Sequence, residues 1–250
     1  GKSLLNLSSE EMRKIRGNEI SMIFQEPMTS LNPVLTIGRQ VSEVFMVHKG
    51  MSRREALDEA VKILSQVGIP APEQMIREYP HRLSGGMRQR AMIAMAIACG
   101  PDVLIADEPT SELDVTVQDQ VLRLLRELKE RIGMAMVLIT HDLGVVAETV
   151  QNVLVMYAGR AVEYSDVSGL FNEPMHPYTK GLIASVPGLG KAGEKLGGIK
   201  GEPPSPLDLP GGCGFHPRCE HAREICRIHE PELVRVGDGR LCACHLYNDW

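Results

Sequence analysis

Leu83-Ser84-Gly85-Gly86-Met87-Arg88-Gln89-Arg90, followed closely by Val103-Leu104-Ile105-Ala106-Asp107-Glu108-Pro109-Thr110, governs how the rest of the chain is read. The first stretch sets a serine and two glycines before an apolar helix, predicted from about Gly86 to Cys99 and stopped by Gly100-Pro101. Free backbone N–H groups and the helix dipole at such an N-terminus favour an anion. The second stretch is a short apolar strand that ends abruptly in two adjacent carboxylates, Asp107 and Glu108. That pair suits one residue to a Mg²⁺ ion and the next to a reacting water.

Outward from these stretches, strands and helices alternate. Glu19 to Gln25 reads as a strand that delivers Gln25 at its end, and Pro27 and Pro33 keep the next stretch irregular. Ser52-Arg53-Arg54-Glu55 is a capping box before apolar residues at helical spacing, with Gly68 placed to end the helix. Val117 to Ile132 is an amphipathic helix closed by Gly133. Val103–Ala106 and 135–140 are both apolar runs of the kind found in buried parallel strands, the second leading straight to His141-Asp142. Strand, helix, strand in this order is a βαβ unit, and functional residues then fall at the carboxyl ends of the strands. Asp107, Glu108 and His141 all stand there.

The 250 residues allow one large domain, or one domain with a small appendage. A net charge of -5 gives no electrostatic case for nucleic acid as the main partner. The longest apolar run, Ala91 to Cys99, is far short of the roughly 20 residues that cross a bilayer. Any membrane role must therefore run through protein partners. Aromatic residues make up only 4%, so aliphatic side chains and Met must fill the core.

The two opening stretches, in their order and separated by one helix, resemble the signature and Walker B motifs of ABC-transporter ATPases. The resemblance implies an α/β, P-loop NTPase-like fold with a helical subdomain, and gives each residue a role. Asp107 would coordinate Mg²⁺ through water, and Glu108 would be the general base for the attacking water. His141 matches the switch histidine that meets the γ-phosphate, and Gln25 the Q-loop glutamine that senses Mg²⁺ and nucleotide. Ser84, Gly85 and Gly86, with Gln89, would bind ATP across an interface between two ATP-binding domains. Leu113-Asp114 resembles the D-loop at that interface, although Glu112 stands where the family usually has Ala.

Gly1-Lys2-Ser3 matches the end of a P-loop, G-x-x-x-x-G-K-[ST], but its first glycine and leading strand are absent, and Lys2 stands only 23 residues before Gln25. It reads as a chance match, and residues 1–19 resemble instead the short strand and polar helix just before the Q-loop. The chain is thus expected to lack its Walker A region. P-loop N–H groups and their lysine supply most phosphate binding, so the chain alone is not expected to hydrolyse ATP. It could still donate Ser84 and Asp114 to a partner's site.

From Phe171 the texture changes to Pro- and Gly-rich sequence, and five of the six cysteines follow residue 212. We therefore expect an ATP-binding domain over 1–170 with its helical subdomain at about 27–100, a linker over 171–209, and a four-cysteine module over 210–250. Cys213, Cys219, Cys226 and Cys244 are spaced x5, x6 and x17. With His176-Pro177-Tyr178-Thr179 and Gly201-Glu202-Pro203-Pro204, they resemble the C-terminal extension of ATP-binding subunits of oligopeptide and dipeptide importers. Some members of that group are thought to hold a [4Fe–4S] cluster there. Four thiolates also suit Zn²⁺, and a disulfide framework or unligated thiols remain as alternatives. Cys242 leaves the fourth ligand open, while Cys99 reads as core packing.

The resemblance implies an ATPase that powers import of peptides or related solutes from the cytoplasmic face of the cell membrane. Its partners would be a second ATP-binding subunit, identical or paralogous, two permease subunits and, indirectly, an extracytoplasmic solute-binding protein. Nickel and glutathione are alternative solutes. The competing readings are a soluble ABC-type ATPase of translation or DNA repair, and a non-hydrolysing fragment that serves only as a dimer partner.

Overall fold

The computed structural model describes residues 3–186 and 198–247. Gly1-Lys2 of the rejected P-loop match, and 187–197 of the expected linker, lie outside the described residues. Two compact units are present, Gly1–His141 and Asp142–Trp250.

The first unit runs α1 (Ser9–Ile15), β1 (Ile20–Ile23), α2 (Pro27–Ser30), α3 (Ile37–Lys49), α4 (Arg53–Gln66), α5 (Pro72–Met75), α6 (Gly85–Ile97), β2 (Val103–Asp107), α7 (Val115–Ile132) and β3 (Ala135–Ile139). Local chemistry sets most boundaries. The predicted capping box is present, with Ser52 accepting from Glu55 N–H and the Glu55 carboxylate accepting from Ser52 N–H. Gly133, at φ 76°, ends α7 in the left-handed region that glycine enters without strain. The three strands form a parallel sheet in the order β1-β2-β3, with Ile20 opposite Val103 and Val103 opposite Ala135. Leu104 and Ala106 are fully buried among Ala91, Ile93, Ala94, Val121, Leu125 and Leu128 of α6 and α7.

The buried-strand expectation holds for one face of this sheet only. Met22, Val137 and Ile139, with Phe24 just past β1, are exposed, and β3 alternates between exposed and half-buried positions. An apolar strand is buried only where another layer packs on it, and α6 and α7 cover one side. The stretch after Gln25, read as irregular, also contains the single turn α2.

The second unit holds α8 (Leu143–Thr149), β4 (Asn152–Tyr157), β5 (Arg160–Asp166), α9 (Val167–Asn172), α10 (Pro177–Ala184), α11 (Glu224–Ile228), β6 (Val234–Gly237) and β7 (Arg240–Cys242). Its sheet is antiparallel, in the order β4-β5-β7-β6. The late strands thus complete a sheet begun at residue 152. The division between units accordingly falls after His141 rather than near 170, where composition changes. Within the expected linker, Pro177 occupies the first turn of α10, where its missing N–H costs nothing. Tyr157 and Phe215 pack edge to face at 5.2 Å in a small core with Val162, bordered by Tyr178, Cys213 and Cys219.

Candidate functional site

In the first unit the parallel sheet brings three distant residues together. Gln25 follows β1, Glu108 follows β2 and His141 follows β3, so register alone places them at one sheet end. Gln25 Nε2 donates to Glu108 Oε2 at 2.9 Å, and His141 Nδ1 lies 3.2 Å from Glu108 Oε1. An ionised carboxylate only accepts, so Nδ1 carries the proton in that contact. A carboxylate offers about four acceptor positions, so these two bonds fix its orientation and leave room for a water.

Glu108 itself sits at φ 42°, a left-handed conformation uncommon for a residue with a side chain. Its N–H donates to Ile139 O at 2.9 Å, which ties the turn after β2 to the end of β3. Backbone strain of this kind concentrates at functional sites. Asp107 is the last residue of β2, opposite Ile139.

Ser84 caps α6, its hydroxyl accepting from Met87 N–H at 3.3 Å. Ser84 and Gly85 are exposed, so the helix start faces solvent. A Cβ on Gly86 would stand 2.8 Å from Val117 Cγ1, so this glycine lets α6 approach α7. Gln89 differs from the other residues of its stretch. It is 1% exposed on the core side of α6, and its Nε2 has no hydrogen-bond partner. Its place one turn before Ile93 puts it on the core side of the helix. Asp114 caps α7, accepting from the N–H groups of Thr116 and Val117 at 3.1 and 3.0 Å.

In the second unit, Cys213, Cys219, Cys226 and Cys244 line one small cavity together with His176, His216, His245 and Phe215. Cys242 is fully buried on β7 and does not line it. Cys213 N–H donates to Cys226 O at 2.8 Å, joining two of the loops. Gly212, at φ 67°, makes that approach possible, because a Cβ there would collide with the Cys226 carbonyl. Burial pushes the thiols of Cys213 and Cys219 up, and that of Cys244 up to about 11. The neighbouring thiols add to the rise in each. No group of three or more His, Cys, Asp or Glu among the described residues is disposed to hold a metal ion. All six cysteines are free thiols, and Cys99 is half-buried with its thiol also pushed up by burial.

Several residues of this unit escape a sequence reading. Glu163 on β5 is fully buried and accepts from the N–H groups of Met175 and His176 at 2.9 and 2.8 Å, with Arg240 of β7 beside it at 3.6 Å. Arg240 also donates to Glu173 O. Burial, then the Lys180 charge, lowers the His176 pKa to about 4, so the ring is neutral. Strands β6 and β7 did carry a signal: Asp238-Gly239 between alternating residues marks a two-residue hairpin turn.

Comparison with known proteins agrees with both units. Residues 2–111 match the family model "ABC transporter", and residues 162–226 match "Oligopeptide/dipeptide transporter, C-terminal region". The chain is 53% identical to the oligopeptide transport ATP-binding protein AppD of Bacillus subtilis, over 99% of this chain and 76% of that protein. It is 52% identical to OppD of Salmonella typhimurium, over 98% of this chain and 72% of that protein. Among solved structures, the dimeric post-hydrolysis state of the ATP-binding cassette MJ0796 with ADP and Pi is similar at a TM-score of 0.57 and 30% identity, covering 65% of this chain and 68% of that one.

Proposed function

The chain belongs to the ABC-transporter ATPases, in their oligopeptide/dipeptide branch, and on that premise we propose that it hydrolyses ATP to power peptide uptake through a membrane permease. The observation that carries this reading is the convergence of Gln25 and His141 on Glu108 at the end of a parallel sheet. Glu108 takes the proton of the attacking water, and His141 and Gln25 hold its carboxylate in place. Asp107 faces Mg²⁺. Ser84, Gly85 and Gly86 offer the free N–H groups of α6 to phosphate in a partner's site, and Asp114 shapes the adjoining turn. Gln89 supports α6 from the core.

ATPases of ABC importers work as dimers with membrane permease subunits. No described helix is long and apolar enough to cross a membrane, which supports a peripheral place on the permease, on the cytoplasmic side. An extracytoplasmic binding protein would supply the solute. The test is uptake into proteoliposomes that carry the assembled transporter. ATP-dependent accumulation of a labelled oligopeptide is expected; accumulation of nickel or glutathione in its place would overturn the peptide assignment.

The second unit supports a cofactor site. Four thiols that line one cavity are the donor set a [4Fe–4S] cluster would take, although no group of three or more His, Cys, Asp or Glu among the described residues is disposed to hold a metal ion. Zinc bonds of about 2.3 Å would draw the sulfurs onto one point, whereas a cluster spreads them. Such a cluster, when bound, supplies one-electron redox chemistry and cross-links the loops that hold it. Anaerobic reconstitution with iron and sulfide is expected to load about four irons per chain. Cys226→Ser should abolish that uptake, whereas Cys242→Ser should leave it intact. Equal loading in both variants would remove the assignment.

A further inference from the structure

Two arginines follow the glycines at the start of α6, and they reach in different directions. Arg88 Nε donates to Pro80 O at 2.8 Å and so fastens the turn just ahead of Ser84. Arg90 leaves its own segment. Its Nη1 donates to Val67 O at 2.6 Å and its Nη2 to Gln120 Oε1 at 3.4 Å. One guanidinium thus ties α6 to the end of α4 and to α7.

Each arm answers a local need. Val67 is the fully buried residue that closes α4, and the last carbonyls of a helix have no partner within it. A cation there also meets the negative end of the helix dipole. Gly68, at φ 75°, keeps the approach open, because a Cβ on it would stand 2.9 Å from Arg90 Nη1. On the other side, Gly86 and Arg90 lie one turn apart on α6, as do Val117 and Gln120 on α7. Gly86 approaches Val117 and Arg90 meets Gln120, so the two helices are held against each other at two successive turns. Two such points resist rotation as well as sliding. Arg131 of α7 also reaches the end of α4, where it donates to Gln66 Oε1 at 3.3 Å, but that link does not touch α6.

Ser84 caps α6 and Asp114 caps α7, so the two starts that Arg90 keeps in register are those assigned above to a partner's site. We propose that Arg90 is a positioning residue for ATP hydrolysis. It holds the start of α6 against α7 at the height that α4 sets, and Ser84 and the N–H groups beside it then meet the partner's phosphate. This rests on the ATPase reading above. Arg90 touches no nucleotide in this scheme and acts only through α6. The planar fork matters, because a lysine ammonium on a flexible stem does not hold two acceptors on different helices in fixed directions.

The experiment is ATP turnover by the assembled transporter carrying Arg90→Lys, Arg90→Met or Arg131→Met, with thermal unfolding measured alongside. Both Arg90 variants are expected to lose kcat. For Arg90→Met the loss should be roughly tenfold to a hundredfold, the scale of a misplacement of about 1 Å remote from the chemistry. KM should change little, since the start of α6 meets phosphate only after nucleotide has bound to the partner. Arg90→Lys keeps a charged donor for Val67 O and should unfold near the parent's temperature, so its lost turnover is not a loss of folding. Arg131→Met should turn over like the parent. In a double variant, Arg90→Met should add little to the loss caused by Ser84→Ala alone, because both act at one place. Parental kcat in Arg90→Lys would overturn the proposal, as would a loss confined to KM, fully multiplicative losses in the double variant, or an equal loss in Arg131→Met. A parent transporter that binds Mg·ATP without turning it over would instead overturn the ATPase reading, and this proposal with it.

Discussion

Glu108→Gln, tested in the assembled transporter, should cut ATP turnover by roughly 10²–10⁴-fold, the range that a positioned general base contributes. Nucleotide binding should be nearly unchanged. Glutamine keeps the shape of the side chain and can still accept from Gln25 or His141, but not from both, because its amide nitrogen is itself a donor. The site is open enough for the displaced donor to find water, so the loss falls on proton transfer rather than on folding. Steady-state hydrolysis and equilibrium Mg·ATP binding, measured together, separate the two effects. Turnover within tenfold of the parent would remove Glu108 as the base. Asp107→Asn is the contrasting variant: with Asp107 in the proposed role of holding Mg²⁺, it should weaken Mg²⁺-dependent nucleotide binding through loss of that charge.

What could be read from the sequence was mostly what is local. Ser52, Gly68, Ser84 and Gly133 mark helix ends because capping involves residues within one turn. Gln25, Glu108 and His141 stood out by their places after apolar strands, but their meeting on one carboxylate spans 83 and 33 residues of chain and needs the sheet register. The exposed side of β3 was not legible, since apolar composition does not say whether a second layer packs on a strand. The burial of Gln89 was hidden for another reason. The residue stands in a motif named for nucleotide binding, whereas helical periodicity turns the position one turn before Ile93 to the core. In the second unit, dense prolines suggested a linker, yet Pro177 begins α10. The choice of Cys244 over Cys242 depends on strand alternation at the end of β7. The partnership of Glu163 with Arg240 joins positions that carry no mutual signal in sequence.

That partnership should dominate the stability of the second unit. Glu163→Ala is expected to cost about 3–5 kcal/mol, the range for removing one member of a buried ion pair. The side chain is fully buried, and its loss orphans two backbone N–H groups, of Met175 and His176, and leaves Arg240 with Glu173 as its remaining partner. None of these can be re-solvated without opening the segment between α9 and α10, which Arg240 also fastens through Glu173. Glu163→Gln keeps one acceptor but turns an amide N–H₂ towards either a backbone N–H or the guanidinium, so an intermediate loss is expected. Thermal unfolding should register Glu163→Ala as a fall in Tm on the order of 10 °C or more for a unit of this size. Hydrogen exchange should accelerate first in α10. A variant with unchanged Tm and protection would show that water substitutes for the carboxylate, and the clamp on His176 would then have to come from the α10 cap alone. If stability falls as expected, the carboxylate is what keeps the histidine ring at the cysteine cavity, and one buried charge links the sheet to the site.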